Sequence, residues 1–285
     1  MYSDTTIITA FYPLQNSMYS LGQYKAWIQE LCKIQSCIII FTTEQFALEI
    51  YQWRRPILEK THVIVRPFDS FAMTCPSMLK FWKSQESFVP YGSNGSYELY
   101  AMWALKQEFV RIIINQNPFK SKWFIWCDAG IQRFSRLQMF YETFPSDVER
   151  ICVPGRMNFL EVDKIPQSYV DRWKESKPLE LPIPEISIGS GCIVGDKEAW
   201  SEFGEAYKNM LKEFALRGWF AGRETSVFFA ILMEKKTNPF RLFFAKQFGS
   251  EEIPGIEWLS FPVMLGGNLD AEVDTRFEPQ ENEKL

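Results

Sequence analysis

Short apolar runs alternate with amphipathic stretches from the N-terminus to residue 66. Residues 5–10 (Thr-Thr-Ile-Ile-Thr-Ala) are β-branched and apolar, and Phe11, Tyr12 and Pro13 close them off, which predicts a short buried strand with a loop at its end. Residues 19–31 place Leu21, Tyr24, Ile28 and Leu31 at helical spacing, and residues 37–42 form a second apolar run. Residues 44–51 fit a helix, and residues 61–66 fit a third strand ended by Pro67. Strand, helix and strand in succession is the pattern of a parallel sheet with helices on its faces. The expected fold class is therefore α/β, with the polar strand ends Thr9 and Thr42 on one edge of the sheet.

From residue 69 to residue 95 the period weakens, and Pro76, Pro90 and the Gly92-Ser93-Asn94-Gly95 cluster predict loop. Residues 97–116 are the clearest helix, with Leu99, Met102, Trp103, Phe109, Val110 and Ile113 in one stripe. Lys106 falls in the middle of that stripe. A buried ammonium is costly unless paired, so Lys106 either runs its stem along apolar surface to put its charge in water or meets an anion.

Residues 123–127 (Trp-Phe-Ile-Trp-Cys) form a further buried run that leads directly into Asp128-Ala129-Gly130. Ligands of open α/β sheets bind beyond the carboxyl ends of the strands, which makes Asp128 a candidate for chemistry. The competing reading is an acid whose side chain caps the following turn. Residues 131–144 read as loop and short helix carrying Arg133 and Arg136 on solvated surface, and residues 148–154 and 157–162 as short strands or extended segments. Residues 166–184 are bounded by prolines and show no period.

A glycine-rich strand follows, with Gly189, Gly191 and Gly195 placed either for tight turns or for close approach of a ligand to backbone. Asp196 is a plausible cap for the next helix, in which Trp200, Phe203, Tyr207, Met210, Leu211 and Phe214 share a face. Gly218 ends that helix, and Glu224 opens another over residues 225–233, where an acid either complements the helix dipole or serves a reaction. Asn238-Pro239-Phe240 makes a turn into a late strand over residues 241–244, and the acidic residues 270–285 read as a loose tail.

Composition narrows the function. A chain of 285 residues with 46% hydrophobic and 23% charged residues is an ordinary folded protein, and a net charge of -4 lacks the basic footprint of a nucleic-acid binder. No apolar stretch is long enough to span a bilayer, and the N-terminus has no leader pattern, so a cytoplasmic protein is expected. The six cysteines are scattered without a Cys-x-x-Cys pair and read as reduced core thiols. One histidine, His62, removes most zinc, haem and Ser-His-Asp schemes.

Several of these stretches together resemble a known family. Residues 97–106, Asn117-Pro118-Phe119, the run from Trp123 through Gly130, and Arg133 look like the HtrL/YibB family of glycosyltransferase-like proteins. Thr9-Ala10-Phe11-Tyr12, the strand ending Phe41-Thr42, the glycine-rich strand, the Trp-led helix and the Gly-x-acid helix start are similar in order. The resemblance implies a GT-A-like αβα sandwich with a mostly parallel sheet: a Rossmann-like nucleotide-sugar half over residues 1–130, an acceptor half over residues 131–269, and the tail.

It implies a transferase that moves a sugar from a UDP- or GDP-linked donor to a glycan, glycolipid or glycoprotein acceptor; the alternative is a catalytically silent GT-A scaffold that binds glycan or a partner protein. Asp128 would be catalytic and would hold a Mn2+ or Mg2+ ion, although Asp128-Ala129-Gly130 offers one acid where such enzymes usually carry two. Glu224 would contact or deprotonate the acceptor. Thr9, Ala10, Phe11, Tyr12, Thr42, Lys106, Ala129, Gly130, Arg133 and Gly191 would line the donor site. The chemistry needs charge neutralisation on the leaving diphosphate and, for inversion, a carboxylate base, and it does not need histidine.

Overall fold

The computed structural model describes residues 3–14, 17, 19–88, 95–131, 133, 143–179, 188–234, 240–244 and 256–278. The strands are β1 (Thr5–Phe11), β2 (Ile38–Thr42), β3 (Thr61–Val65), β4 (Trp123–Cys127), β5 (Met157–Glu161), β6 (Ile188–Asp196), β7 (Phe240–Phe244) and β8 (Glu272–Val273). They form one sheet in the order β3-β2-β1-β4-β6-β5-β7-β8. Strands β1 to β4 are mutually parallel, β6 runs against both β4 and β5, β7 is parallel to β5, and β8 is antiparallel to β7. Six of the eight strands therefore share one direction, which is the mostly parallel α/β sheet expected.

Alternation along each strand divides the interior into two cores. Ile7, Ile38, Ile40 and Ile125 face the side covered by α1 (Leu21–Leu31) and α2 (Glu44–Trp53), through Ile28, Leu31, Phe46 and Ile50. Ile8, Ile39, Phe41, Phe124 and Trp126 face the side covered by α3 (Pro76–Gln85) and α4 (Tyr97–Gln116). Further along, α5 (Val148–Ile151) contributes to the first core, while α6 (Gln167–Lys174), α7 (Lys197–Arg217) and α8 (Glu224–Glu234) cover the second. Helix α9 (Ser260–Leu265) returns to the first face with Phe261, Met264 and Leu265. The result is an αβα sandwich.

Four local expectations change. Residues 76–85 are the helix α3 rather than loop: Pro76 occupies the first helical turn, where its missing N–H costs nothing, and Trp82 anchors the helix in the core. Residues 148–151 make one helical turn rather than a strand.

Gly189, Gly191 and Gly195 lie inside β6, not in turns. At Gly195 a Cβ would stand 2.7 Å from Met157 Sδ and 3.0 Å from Trp200 Cδ1, so a side chain there would force these neighbours to shift.

The segment expected to begin a loose tail is docked. Strand β8 pairs with β7, Phe277 is buried, and Arg276 binds the Glu161 and Asp274 carboxylates at 2.9 and 2.7 Å. Residues 134–142, 180–187, 235–239 and 279–285, on which other expectations fell, lie outside the described residues.

Candidate active site

Strand β4 delivers Asp128 to the carboxyl edge of the parallel half-sheet. The Asp128 amide donates to the Gly191 carbonyl at 2.8 Å, extending the β4–β6 ladder by one residue and fixing the backbone at that point. The following turn is held by the Asp128 main-chain carbonyl, which accepts from the Ile131 amide at 2.9 Å. Its carboxylate does something else. Oδ1 accepts from the Trp126 indole Nε1 at 2.6 Å, and Lys106 Nζ lies 3.0 Å from Oδ1 and 3.2 Å from Oδ2. The side chain is 35% exposed, so this held carboxylate still faces solvent.

Lys106 is 3% exposed, so its ammonium does not reach water. It donates to the Ser190 carbonyl and to Glu224 Oε1, both at 2.9 Å, as well as to Asp128. Burial works to lower the lysine pKa, but the charges of Asp128 and Glu224 and their hydrogen bonds outweigh it and hold the ammonium above its ordinary value. The stripe lysine thus meets two anions, one from the sheet and one from a helix start.

Glu224, the first residue of α8, is buried and also accepts from Ser190 Oγ at 2.7 Å. Both of these bonds fall on Oε1. Tyr207 packs nearby in the second core, and its phenol is pushed well above its ordinary pKa by burial and, secondarily, by the charge of Glu224.

Gly191 serves the same centre in two ways. Its carbonyl fixes Asp128, and a Cβ at this position would stand 3.2 Å from Ile131 Cδ1 and 3.7 Å from Asp128 Oδ2. The missing side chain leaves the carboxylate uncrowded. Ala129 and Gly130 follow at the half-buried rim, with Trp27 of α1 packed beside Gly130, 3.5 Å from where its Cβ would be. Arg133 is exposed, and its amide donates to the Gly130 carbonyl at 3.1 Å.

The residues expected from β1 and β2 take part differently. Thr9 is fully buried on the pleat face opposite Asp128, and its hydroxyl has no hydrogen-bond partner among the described residues. Ala10 is core, and Phe11 packs edge-on against Phe46 with ring centres 4.9 Å apart. Tyr12 donates to the Arg66 carbonyl at 2.9 Å and stacks on Phe109, while Thr42 donates to the Phe11 carbonyl at 2.9 Å. Their side chains build the edge rather than open onto it.

Sequence reasoning missed Trp126 and Ser190 as partners. Trp126 was legible in principle, since it lies two residues before Asp128 on the same strand face. Ser190, between two glycines, carried no signal of its own.

A resident divalent ion lacks a full ligand set: among the described residues no group of three His, Cys, Asp or Glu side chains could hold one. One open carboxylate does fit the case in which the ion is shared with substrate phosphates, the usual mode for magnesium. Among the described residues no helix is long and apolar enough to cross a membrane.

No family model matches the chain, and no curated protein does. Among solved structures it is similar to the apo crystal structure of mouse xyloside xylosyltransferase 1, at 13% identity and a TM-score of 0.46, over 85% of this chain and 86% of that one. A likeness this distant assigns neither a substrate nor a residue.

Proposed function

We propose that the protein is a glycosyltransferase of the GT-A type, akin to the HtrL/YibB family, moving a sugar from a UDP- or GDP-linked donor to a glycan acceptor in the cytoplasm. The observation that carries this reading is the Lys106–Asp128–Glu224 centre: two carboxylates on one buried ammonium, at the carboxyl edge of a mostly parallel sheet. Ligands of such sheets bind at that edge.

In this reading Trp126 and Lys106 hold Asp128 in one orientation before substrate arrives, so no reorganisation is needed when charge develops. A divalent cation entering with the donor diphosphate would take Asp128 as its protein ligand and would supply charge neutralisation. Lys106 and Ser190 hold Glu224 through Oε1, which leaves Oε2 to accept the proton of the acceptor hydroxyl. Gly191 and Gly130 keep the approach free of side chains.

The test is donor hydrolysis and transfer with a panel of nucleotide-sugars, with and without manganese. Turnover that Asp128→Asn abolishes supports the reading, and no binding of any donor sinks it.

The burial of Glu224 and the single acid in residues 128–130 favour a second reading, a silent GT-A scaffold that binds glycan or a partner protein. Nucleotide binding without turnover on any acceptor would favour it.

A further inference from the structure

A row of aromatic rings leads outward from the Lys106 centre. Trp103 precedes Lys106 by one helical turn on the same face of α4 and is half-buried. Its ring centre lies 6.2 Å from that of Tyr100, and Tyr100 meets Phe220 edge-on at 5.5 Å. Phe220 in turn stacks on Phe88 at 6.4 Å and 26°. Tyr100 is buried, Trp103 and Phe220 are half-buried, and Phe88 at the far end is 46% exposed.

The row is built into the fold rather than scattered on it. Phe220 sits in the short connection between α7 and α8, which is tied to α3 by the Ala221 amide donating to Gln85 Oε1 at 2.8 Å. A Cβ on Gly222 would lie 2.4 Å from Phe220 Cε2 and 3.1 Å from Tyr100 Cδ1, so the edge of the Phe220 ring packs against this glycine. Gly222 is two residues before Glu224, so the same connection sets both the ring and the acid.

Charged groups rim the rings. The Glu86 carboxylate accepts from the Tyr97 amide at 2.9 Å, the Lys83 ammonium stands 4.8 Å over the Tyr97 ring, and the charges of Glu86 and Arg223 both act on the Tyr100 phenol. The Tyr100 hydroxyl is buried and has no hydrogen-bond partner among the described residues. Flat apolar faces edged by carboxylate, ammonium and guanidinium suit a sugar, whose C–H face stacks on a ring while its hydroxyls bond at the rim. An acyl chain would strip water from those charges without replacing it.

We propose that Trp103, Phe220 and Phe88 form a carbohydrate subsite that seats sugar rings of the acceptor and leads its terminal hydroxyl to Glu224. The word acceptor rests on the transferase reading; the subsite does not.

The experiment is saturation-transfer NMR of the full chain with maltotriose, cellotriose, xylotriose and chitotriose, repeated for Trp103→Ala and Phe220→Ala. A separate calorimetric arm titrates UDP and GDP. The expected result is that at least one trisaccharide binds the wild type and that each variant weakens it by about tenfold or more, the loss typical of a central aromatic anchor, with nucleotide affinity unchanged. Both variants are checked for folding by thermal melting, and Phe88→Ala, at the exposed end of the row, serves where one fails to fold. Absence of binding by all four sugars, or binding unaffected by every folded variant, overturns the subsite. Sugar binding without any nucleotide binding upholds the subsite and overturns the transferase reading.

Discussion

Asp128 and Gly191 face each other across β4 and β6, joined by a 2.8 Å hydrogen bond from the Asp128 amide to the Gly191 carbonyl. The Gly191 carbonyl fixes the backbone of the acid, and the absent side chain adds no bulk beside its carboxylate. A Cβ at residue 191 meets Ile131 Cδ1 at 3.2 Å, which a flexible side-chain end can accommodate, and Asp128 Oδ2 at ordinary contact distance. Gly191→Ala is therefore expected to fold with a loss under about 1 kcal/mol, whereas Gly191→Leu fills the approach to the carboxylate. Urea melts and nucleotide titrations of the two variants separate the effects: the leucine variant should lose nucleotide binding, the alanine variant should keep it.

Asp128→Asn retains a side-chain oxygen for the Trp126 indole and removes the negative charge. Fold and melting temperature should change little, because the side chain is partly solvent-exposed and Glu224 still pairs Lys106. Transfer rate should fall by roughly 100- to 1,000-fold, the scale set by loss of one preorganised electrostatic group. Steady-state rates beside a melting curve distinguish this from unfolding.

Lys106→Met should act the other way, on stability first. It leaves Glu224 buried beside Ser190 with no counter-charge, a loss of about 3–5 kcal/mol for breaking a buried pair from one side. Adding Glu224→Gln should recover most of that loss. A denaturant double-mutant cycle measures the recovery, and an additive result would mean that the two residues are not coupled.

A pH effect is expected at the other end of the sheet. Burial, aided by the neighbouring charge of Asp274, pushes the Glu161 carboxyl up from 4.5 to about 7, against the opposing amide of Ile165 and charge of Arg276. The folded state therefore binds a proton more tightly than the unfolded state. The stability from this group is complete below its unfolded pKa and is lost as pH rises through about 7. Melting temperature should decline across that window, and Glu161→Gln should flatten the decline. Because ionised Glu161 gives up its side-chain hydrogen bond with Asp274 and repels that carboxylate, exchange protection at residues 272–277 should weaken with the same pH dependence.

Most of the strand and helix order was legible because parallel-sheet strands are continuous apolar runs and the helices between them carry a 3.6-residue stripe. Helix α3 was not, since it is short and mixed in polarity, and Pro76 reads as a breaker until the backbone shows it at a helix start. The docking of residues 272–277 was hidden for a different reason: Arg276 and Phe277 find their partners more than 100 residues earlier, in Glu161 and Trp173.

The site divides along the same line. The position of Asp128 was readable alone, as the first polar residue after a buried strand, while its use as a turn cap or as a functional acid was left open. Glu224 and Lys106 were each ambiguous, because a helix-start acid and a stripe lysine have ordinary structural uses.

By itself the sequence determined the class of fold, through local periodicity, and the position of one acid at a strand end. Only the tertiary structure decided that Lys106 is buried between Asp128 and Glu224, 22 and 118 residues away. Side-chain pairing at such separation depends on how α4 and α8 pack against the sheet. A buried ammonium can exist only where that packing supplies its anions.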